Sequence, residues 1–272
     1  MQAEDDQILI SVDKLDIQIG QPAVHAVKDI SFNMRQGEIL GLAGESGSGK
    51  SVTSHALTRL LPSAANPIYG GEVRLRDIED NLLDLPARRI RSIRGNRIAY
   101  VFQEPSASFN PLFSIQSQLD EILRLCPEGR ELKKTERMER IRDAMQQVGV
   151  DPSPENLTAM PGAFSGGMLQ RMAIAGAIAQ NPELLVADEP TTALDTSTQK
   201  RIVELLSRLN RDQGMAILFI SHNLALLKQL ADRVLVMQEG EIVEQGPTDS
   251  VLNQPQHPYT QRLVQAIPKL EV

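Results

Sequence analysis

One stretch constrains the fold of this chain more than any other: residues 44–51, which read Gly-Glu-Ser-Gly-Ser-Gly-Lys-Ser. They match the pattern G-x-x-x-x-G-K-[ST], whose four fixed positions arise by chance in about one chain in a hundred of this length. The apolar run 38–43 precedes the pattern and predicts a buried strand, and apolar residues at helical spacing follow it as far as Pro62. A glycine-rich loop between a strand and a helix predicts a phosphate-binding site.

The residue types in this loop suit a nucleoside triphosphate. Glycines let the backbone curve around a phosphate without a Cβ in the way, and the N–H groups and dipole at the start of the helix face the anion. We expect Lys50 to reach the outer phosphates of ATP and the Ser51 hydroxyl to ligate Mg²⁺. The residues of this region expected to contact the nucleotide are Gly44, Glu45, Ser46, Gly47, Ser48, Gly49, Lys50, Ser51 and Val52.

Composition narrows the class of protein and its compartment. Of the 272 residues, 41% are hydrophobic and 3% aromatic, which fits an α/β core in one large domain or two small ones. The net charge of −7 gives no global signal for nucleic acid. Cys126 is the only cysteine, so no intrachain disulfide is possible and a reducing compartment is expected. Residues 1–6 do not resemble a signal peptide, and no apolar run approaches the roughly 18 residues of a membrane span. We therefore expect neither a signal peptide nor a membrane-spanning segment.

The pattern of apolar residues predicts two kinds of sheet. Alternation over 8–19 and a strand over 26–34 predict an antiparallel opening, to which a short strand at 72–76 is added after a loop over 62–71. Apolar strands separated by helices predict, in addition, a parallel sheet that is covered on both faces. These strands are 38–43, 98–102, 184–189 and 216–220.

Other segments have patterns of their own. Residues 104–180 are predicted to be a mostly helical insertion, with methionines that we expect in the core. The segments 233–238 and 241–244 predict a hairpin, and 246–272 predicts a helical tail interrupted by prolines. Five arginines between residues 86 and 97 indicate either a solvated basic helix or a surface that docks on an acidic partner.

Acidic and glycine-rich patterns supply further candidate site residues. Asp188 and Glu189 end an apolar strand, where Asp188 suits Mg²⁺ and Glu189 suits a group that orients or deprotonates an attacking water. Such a pair is weak evidence alone and strong evidence beside a phosphate loop. Ser165, Gly166 and Gly167 open a helix and predict a second anion-binding loop. Since one ATP has little use for two such loops, the second is expected to serve a nucleotide held by another subunit.

Two polar residues follow buried strands, where a doubly wound sheet places its ligand contacts. Gln103 is a candidate contact of Mg²⁺ or of the attacking water, and His222 is a candidate hydrogen-bond partner of the γ-phosphate. Either residue alone is more often an ordinary polar group of a loop.

The order of these motifs resembles the ATP-binding subunit of an ABC transporter, over about residues 8 to 265. The phosphate loop and Gln103 come first in that family's order. The later motifs are Phe-Ser-Gly-Gly-Met at 164–168, Leu-Val-Ala-Asp-Glu-Pro at 185–190, Thr-Thr-Ala-Leu-Asp at 191–195 and Ile-Ser-His at 220–222. Agreement of all of them in order and spacing is far more specific than any one motif.

This resemblance implies a fold of the P-loop NTPase (RecA-like) type. That fold is α/β, with a mostly parallel sheet flanked by helices, an antiparallel β subdomain and a helical insertion. A single ATPase domain over 1–272 is expected to divide into such parts. They are the antiparallel subdomain at about 7–36 and 70–77, the catalytic core at about 37–69, 97–103 and 181–246, the helical subdomain at about 104–180 and a C-terminal tail at 247–272.

The resemblance also implies roles for single residues. Ser165, Gly166 and Gly167 would belong to the signature loop that closes on the partner's ATP, and Asp195 to a loop that signals across the dimer. Gln103 would lie in a loop that couples hydrolysis to the membrane subunits. The catalytic residues implied are Glu189, His222, Gln103 and Lys50. The Mg²⁺ ligands implied are Ser51, Gln103 and Asp188.

The partners that the resemblance implies are proteins and not nucleic acid. A second ATPase subunit, identical or paralogous, would complete the site, and separate permease subunits would cross the membrane. A solute-binding protein would act indirectly by feeding the permease. The expected location is peripheral, on the cytoplasmic face of the inner membrane.

Shorter motifs resemble the subfamily of oligopeptide and dipeptide importers, whose relatives also move nickel and glutathione. These motifs are Phe-Gln-Glu-Pro at 102–105, Ser-Phe-Asn-Pro at 108–111, Gly-Gly-Met-Leu-Gln-Arg at 166–171 and His-Pro-Tyr-Thr at 257–260. With a single cysteine, the iron–sulfur cluster of some relatives is not expected. The sequence does not name the solute.

The sequence departs from the family's usual pattern at two places, and two rival functions stay open. The signature begins Phe-Ser-Gly-Gly-Met rather than Leu-Ser-Gly-Gly-Gln, and the region that usually supplies an aromatic partner for adenine offers His25 instead. One rival is a cassette ATPase of DNA repair or translation, against which the acidic charge argues. The other is a regulatory cassette that binds ATP without hydrolysing it. The presence of Lys50, Asp188, Glu189 and His222 argues against that rival.

Overall fold

The computed structural model describes residues 7–192 and 194–266. The chain forms two compact units. The first unit comprises the residues up to Ile90 together with those from Ala216 onward, and the second comprises Arg91–Met215. The expected division of a single domain into subdomains stays a prediction.

The described residues form strands and helices, with five α-helices in succession between the fifth and sixth strands. The strands are β1 (Ile8–Ile19), β2 (Val24–Arg35), β3 (Ile39–Ala43), β4 (Ile68–Leu75), β5 (Ile98–Val101), β6 (Leu184–Asp188), β7 (Ala216–Ser221), β8 (Arg233–Gln238) and β9 (Glu241–Pro247). The helices are α1 (Lys50–Ala56), α2 (Ala87–Ile93), α3 (Ile115–Leu125), α4 (Pro127–Glu131), α5 (Lys134–Gln147), α6 (Pro154–Thr158), α7 (Gly166–Ile178), α8 (Thr196–Gln213), α9 (Leu224–Leu230), α10 (Thr248–Asn253) and α11 (Pro258–Gln265). Short 3₁₀ turns occur at Ser63–Ala65 and Pro161–Ala163.

The first unit contains an antiparallel sheet in the order β2-β1-β4. Strand β1 pairs with both neighbours in antiparallel fashion, which confirms the predicted antiparallel opening. Its inward-facing residues, among them Ile10, Leu15 and Ile17, are buried. Since side chains on a strand alternate between two faces, this spacing places one face of the sheet in the core.

The first unit also contains strands in the order β7-β3-β8-β9. Strand β3 pairs in parallel with β7 and β8, and all five of its residues are buried. A strand covered on both faces is expected to be apolar without alternation, as this one is. Strands β8 and β9 form the predicted antiparallel hairpin across Glu239 and Gly240.

The second unit combines parallel strands with helices. Strands β5 and β6 pair in parallel. Helix α3 buries Ile115, Leu119 and Leu123 on one face, at the spacing of an amphipathic helix. Met138 and Met145 on α5 are buried, which confirms that these methionines belong to the core. Within the described ranges, no helix has both the length and the apolar composition needed to cross a membrane.

The helix after the phosphate loop is shorter than expected: α1 ends at Ala56, whereas the apolar spacing predicted an end near residue 61. Arg59 lies in the left-handed region with φ 55°, and its guanidinium donates to the carbonyl oxygen of Leu85 at 2.6 Å. Leu57 is nevertheless fully buried. The helical spacing of apolar residues therefore continues past the end of the helix.

Strand β4 begins at Ile68, inside the segment expected to be a loop. Gly71 lies opposite a bulge in β1, where the register shifts between Asp13 and Asp16. Gly71 has φ +82°, and a Cβ added there would collide with the carbonyl oxygen of Lys14. Strand β9 likewise extends to Pro247, three residues beyond the prediction, because Pro247 still pairs in register with Arg233.

Replacing Gly41 by Ala is expected to lower the free energy of unfolding by about 1–3 kcal/mol, the usual cost of overpacking a core. Gly41 lies in the middle of β3, and an added Cβ would be 2.6 Å from Leu227 Cδ2 on α9 and 3.2 Å from the Cβ of Ala231, which follows that helix. Urea denaturation at constant m-value measures the change. Gly162→Ala is the control, since a Cβ added there meets nothing within 4 Å. Equal stability of the two variants would contradict the packing of α9 on β3.

Candidate functional site

The phosphate loop joins β3 to α1, the strand–loop–helix arrangement that its sequence predicts. Gly44 leaves the strand with φ +150°, and a Cβ there would collide with the carbonyl oxygen of Met237. Ser48 contributes its carbonyl oxygen to a bond from the Gly240 N–H at 3.0 Å. The neighbouring strand β8 and the hairpin after it therefore hold the loop from one side.

Lys50 has its charged group inside the loop. Its side chain is 4% exposed, and its Nζ donates to the carbonyl oxygens of Gly44 and Glu45, each at 2.8 Å. A buried ammonium needs such partners, because an unpaired charge in the interior is costly. The loop thus presents a fixed positive charge at its centre.

Ser48 is the residue of the loop with an unsatisfied polar group. Its Oγ is buried and has no hydrogen-bond partner within the part of the chain that the structure describes. Buried polar groups are normally paired, and an exception calls for a missing partner. An oxygen-rich ligand such as a phosphate group fits this requirement.

A residue without a role in the sequence analysis contacts the loop from the C-terminal region. The N–H of Glu45 donates to the hydroxyl oxygen of Tyr259 at 2.9 Å, and Tyr259 is 4% exposed. Tyr259 belongs to the His-Pro-Tyr-Thr motif at 257–260, which the sequence analysis used only as a mark of a subfamily. No sequence signal linked that motif to a loop more than 200 residues away.

Apart from the phosphate loop and the adjoining Val52, His222 is the one predicted site residue that lies in the first unit. It follows β7, whose last residue, Ser221, pairs with Ala43 at the end of β3. His222 and Gly44 therefore leave neighbouring parallel strands at the same level. The side chain of His222 is exposed, and Asn223 behind it caps α9 by accepting from the Ala225 N–H at 3.0 Å.

In the second unit, Gln103, Asp188 and Glu189 lie at the carboxyl ends of β5 and β6. Val101 at the end of β5 pairs with Ala187 near the end of β6, so the residues that follow them leave the strands side by side. Asp188 is buried, Glu189 is half-buried and Gln103 is exposed. These are oxygen donors, the kind of ligand that Mg²⁺ prefers.

Glu189 has an unusual backbone and a defined partner. Its φ is +45°, a left-handed conformation that non-glycine residues seldom adopt. The Thr192 hydroxyl donates to Glu189 Oε2 at 2.8 Å. Backbone strain of this kind persists where the surrounding structure fixes it, often at functional sites. Thr192 has no role among the residues predicted from the sequence.

The second anion-binding loop lies beside Asp195 in the same unit. Ser165 caps α7 by accepting from the Met168 N–H at 3.3 Å, and a Cβ added at Gly167 would be 2.7 Å from Thr198 Cγ2. Asp195 caps α8, and hydrogen bonds from Ser197 and Thr198 hold the pKa of its carboxyl well below the usual value. Asp195 thus has a structural role beyond the one expected of it.

The predicted site residues are divided between the units. The phosphate loop with Lys50, Ser51 and Val52 lies in the first unit with His222, and the other predicted residues lie in the second. Ser51 is exposed at the start of α1, which suits a metal ligand that reaches a bound nucleotide. Among the described residues, no group of three or more His, Cys, Asp or Glu side chains is arranged to hold a metal ion by itself.

Two family models match this chain. The model described as ABC transporter matches residues 27–192, which include the phosphate loop and the Asp188–Glu189 pair. The model described as oligopeptide/dipeptide transporter, C-terminal region, matches residues 243–272, which include Tyr259.

Curated relatives agree with these models. The chain is 44% identical over 273 residues to the peptidoglycan transport ATP-binding protein YejF of Agrobacterium fabrum, a match that covers 100% of this chain and 49% of the relative. It is 40% identical to the dipeptide transport ATP-binding protein DppD of Escherichia coli, over 96% of this chain and 79% of the relative. The chain thus spans about half the length of some of the curated relatives that it matches.

A solved structure of an ATP-binding cassette, a dimer in a post-hydrolysis state bound to ADP and Pi, has the same fold. The TM-score is 0.76 at 27% sequence identity, and the match covers 88% of this chain and 99% of the cassette. This confirms the α/β fold class, with parallel strands flanked by helices and an antiparallel sheet.

Proposed function

Since this chain belongs to the ABC transporter family of ATP-binding proteins, we propose that it hydrolyses ATP to power the import of short peptides or a related small solute. One observation carries the proposal: a single chain combines a phosphate loop around a buried lysine with the C-terminal region typical of oligopeptide/dipeptide transporters. The relatives named for dipeptide and glutathione import support the same class of solute.

In this proposal each candidate residue has one task toward Mg·ATP, whose hydrolysis supplies the energy. Lys50 and the N–H groups of the phosphate loop would bind the phosphates, and Ser51, Gln103 and Asp188 are the residues proposed to hold Mg²⁺. Glu189 accepts a proton from the attacking water. His222 donates a hydrogen bond to the outer phosphate.

A second cassette completes the site in the proposal. Ser165, Gly166 and Gly167 of one subunit would bind the nucleotide held by Lys50 of the other, and Asp195 would lie at the same interface. The solved cassette with ADP and Pi is dimeric, which supports the proposal of a second cassette. The partner in this proposal is an identical or a paralogous chain.

The helical part of the second unit offers a surface for the permease. Phe113 is 54% exposed and Leu125 is 64% exposed, and both line a groove that also contains Glu121, Arg124 and Arg130. We call this surface the Phe113–Leu125 groove. Exposed apolar residues rimmed by charged ones are typical of protein interaction sites. Through such a permease the chain would be peripheral on the cytoplasmic face of the inner membrane.

Replacing Phe113 by Asp is expected to reduce uptake of labelled di- and tripeptides in the native host by about tenfold or more, because a buried aromatic anchor commonly contributes that much to an interface. ATP hydrolysis by the isolated protein should change little. The control is Ile68→Asp, since Ile68 is 61% exposed on β4 of the other unit. Full peptide uptake with Phe113→Asp would exclude the groove, and loss of the wild-type gene without loss of peptide uptake would exclude the proposed solute class.

A further inference from the structure

The hydrogen bond between the C-terminal region and the phosphate loop has a consequence for nucleotide binding. We propose that Tyr259 is a positioning residue of the phosphate loop, which links the C-terminal segment 256–265 to the affinity for the nucleotide. This inference rests on the proposed function, because it concerns how the same loop binds Mg·ATP.

Tyr259 and Lys50 hold opposite ends of one peptide plane. The carbonyl oxygen of Gly44 and the N–H of Glu45 belong to the same peptide bond. Lys50 Nζ donates to that carbonyl oxygen at 2.8 Å, and the same N–H donates to the hydroxyl oxygen of Tyr259 at 2.9 Å. The plane is therefore held at both ends, and a rotation that freed one bond would break the other. Tyr259 thereby fixes the carbonyl on which the Lys50 ammonium rests.

The surroundings of Tyr259 hold its hydroxyl in place. Its ring is buried, and the Arg262 guanidinium lies 5.8 Å from the ring centroid. Burial raises the pKa of Tyr259, and the nearby Glu45 carboxylate also disfavours the phenolate. The hydroxyl is therefore neutral at physiological pH and keeps an oxygen lone pair for the Glu45 N–H.

Hydrogen bonds of the residues around Tyr259 fix the position of the short segment that carries it. The His257 ring caps α11 by accepting from the Tyr259 N–H at 3.3 Å, and Pro258 occupies the first helical position, where no N–H is needed. The Glu244 carboxylate anchors the approach by accepting from the Gln256 and His257 N–H groups at 2.9 and 3.0 Å. Each residue of the His-Pro-Tyr sequence thus has a physical task.

The Glu244 carboxylate, which anchors the segment 256–265, is charged at neutral pH. Burial raises the pKa of Glu244, but the N–H groups of Gln256 and His257 favour the carboxylate and leave its pKa below the ordinary value. A carboxyl whose pKa is lowered by folding stabilises the fold above its unfolded pKa of about 4.3, and this contribution is lost as the pH falls through the folded value. The segment is therefore held throughout the neutral range.

The position of the anchor and the tyrosine in the chain supports a common role. Glu244 lies on β9 and Tyr259 on α11, and both fall within the region 243–272 that matches the C-terminal region of oligopeptide/dipeptide transporters. The phosphate loop itself lies within the region 27–192, which matches the general cassette. The subfamily region therefore contacts the loop of the general cassette through Tyr259.

The test uses Tyr259→Phe, which keeps the buried ring and removes only the hydroxyl. One buried hydrogen bond changes an equilibrium constant by about two- to tenfold, so the Kd for Mg·ATP should rise by that factor in calorimetry. Because coupling between two sites is reciprocal, Mg·ATP should slow hydrogen exchange at 258–265 in the wild type and not in the variant. A tyrosine that only stabilised the fold would leave this nucleotide-dependent protection unchanged.

A second variant reaches the same result by a different route. Glu244→Gln replaces one accepting oxygen with an NH₂ group and should raise the Kd for Mg·ATP in the same direction. The controls are Tyr69→Phe in the antiparallel sheet and Glu241→Gln at the start of β9, where an exposed ion pair with Lys28 at 3.8 Å contributes little. Both controls should bind Mg·ATP like the wild type.

The outcomes separate this inference from the function on which it rests. If Tyr259→Phe binds Mg·ATP with the affinity of the wild type and shows the same nucleotide-dependent exchange protection, the inference is overturned and the proposed function is not affected. A wild-type protein that binds no nucleotide would overturn the proposed function as well. If Tyr259→Phe does not fold, Glu244→Gln decides: weaker binding of Mg·ATP supports the coupling, and wild-type affinity with wild-type protection of 258–265 overturns it.

Discussion

Replacing Glu189 by Gln is expected to slow ATP hydrolysis by about 100- to 10,000-fold, the usual contribution of a general base. Gln has the shape of Glu, and its amide oxygen can still accept from the Thr192 hydroxyl, which lies 2.8 Å from Glu189 Oε2. It cannot accept a proton from water. Binding of Mg·ATP should therefore stay close to that of the wild type while the release of phosphate almost stops.

Steady-state phosphate release and calorimetric binding of Mg·ATP, measured on the same preparations, test this expectation. Glu204→Gln is the matched control, because Glu204 lies exposed on α8 of the same unit. The control should hydrolyse ATP at the wild-type rate. Wild-type turnover in Glu189→Gln would remove Glu189 from the catalytic residues, whereas loss of binding would point to a structural role for its strained backbone.

The slow variant also reports on the second cassette. A protein that binds ATP without hydrolysing it should accumulate the closed state, so light scattering of Glu189→Gln should show a monomer that becomes a dimer when Mg·ATP is added. A protein that binds Mg·ATP and stays a monomer would indicate a paralogous partner. The two results distinguish a homodimer from a heterodimer without knowledge of the solute.

Local patterns were sufficient to predict much of the fold. The uninterrupted apolar run of β3 and the Glu-Gly turn between β8 and β9 are set by burial and turn geometry, which the sequence carries directly. The end of α1 was not predictable in this way. Just beyond that end, Arg59 has a left-handed backbone and donates to the carbonyl oxygen of Leu85, and an acceptor 26 residues away leaves no mark on the local pattern.

The candidate site shows the same distinction between local and distant information. The loop glycines follow β3 in the first unit, and Asp188 and Glu189 come at the end of β6 in the second. Local patterns were sufficient to predict each of these two positions at the end of a strand. Tyr259 reaches the loop through a contact across 214 positions of the chain. Its motif was visible, but its partner depended on the packing of the C-terminal segment against the loop, which only the three-dimensional structure provides.

Replacing Lys50 by Met is expected to weaken the binding of Mg·ATP by about 100-fold or more. The buried ammonium has two charge-assisted bonds to loop carbonyls, and a bound phosphate would take their place. The ammonium exchanges neutral carbonyl partners for charged phosphate oxygens on binding, and Met can make neither contact. A net difference of about 2.8 kcal/mol corresponds to about 100-fold in the dissociation constant. Met has a similar length and no charge, which removes the interaction with little change in volume.

Comparison of three lysine variants separates charge from shape at this position. Lys228→Met is the control, because Lys228 is an exposed lysine of the same unit whose Nζ donates to Asn253 at 2.7 Å. It should bind Mg·ATP as the wild type does. Lys50→Arg keeps the charge but places a planar group where the loop holds a compact ammonium, so it should restore only part of the affinity. Wild-type affinity in Lys50→Met, measured by calorimetry on a protein with a wild-type circular dichroism spectrum, would mean that the loop does not bind phosphates through Lys50.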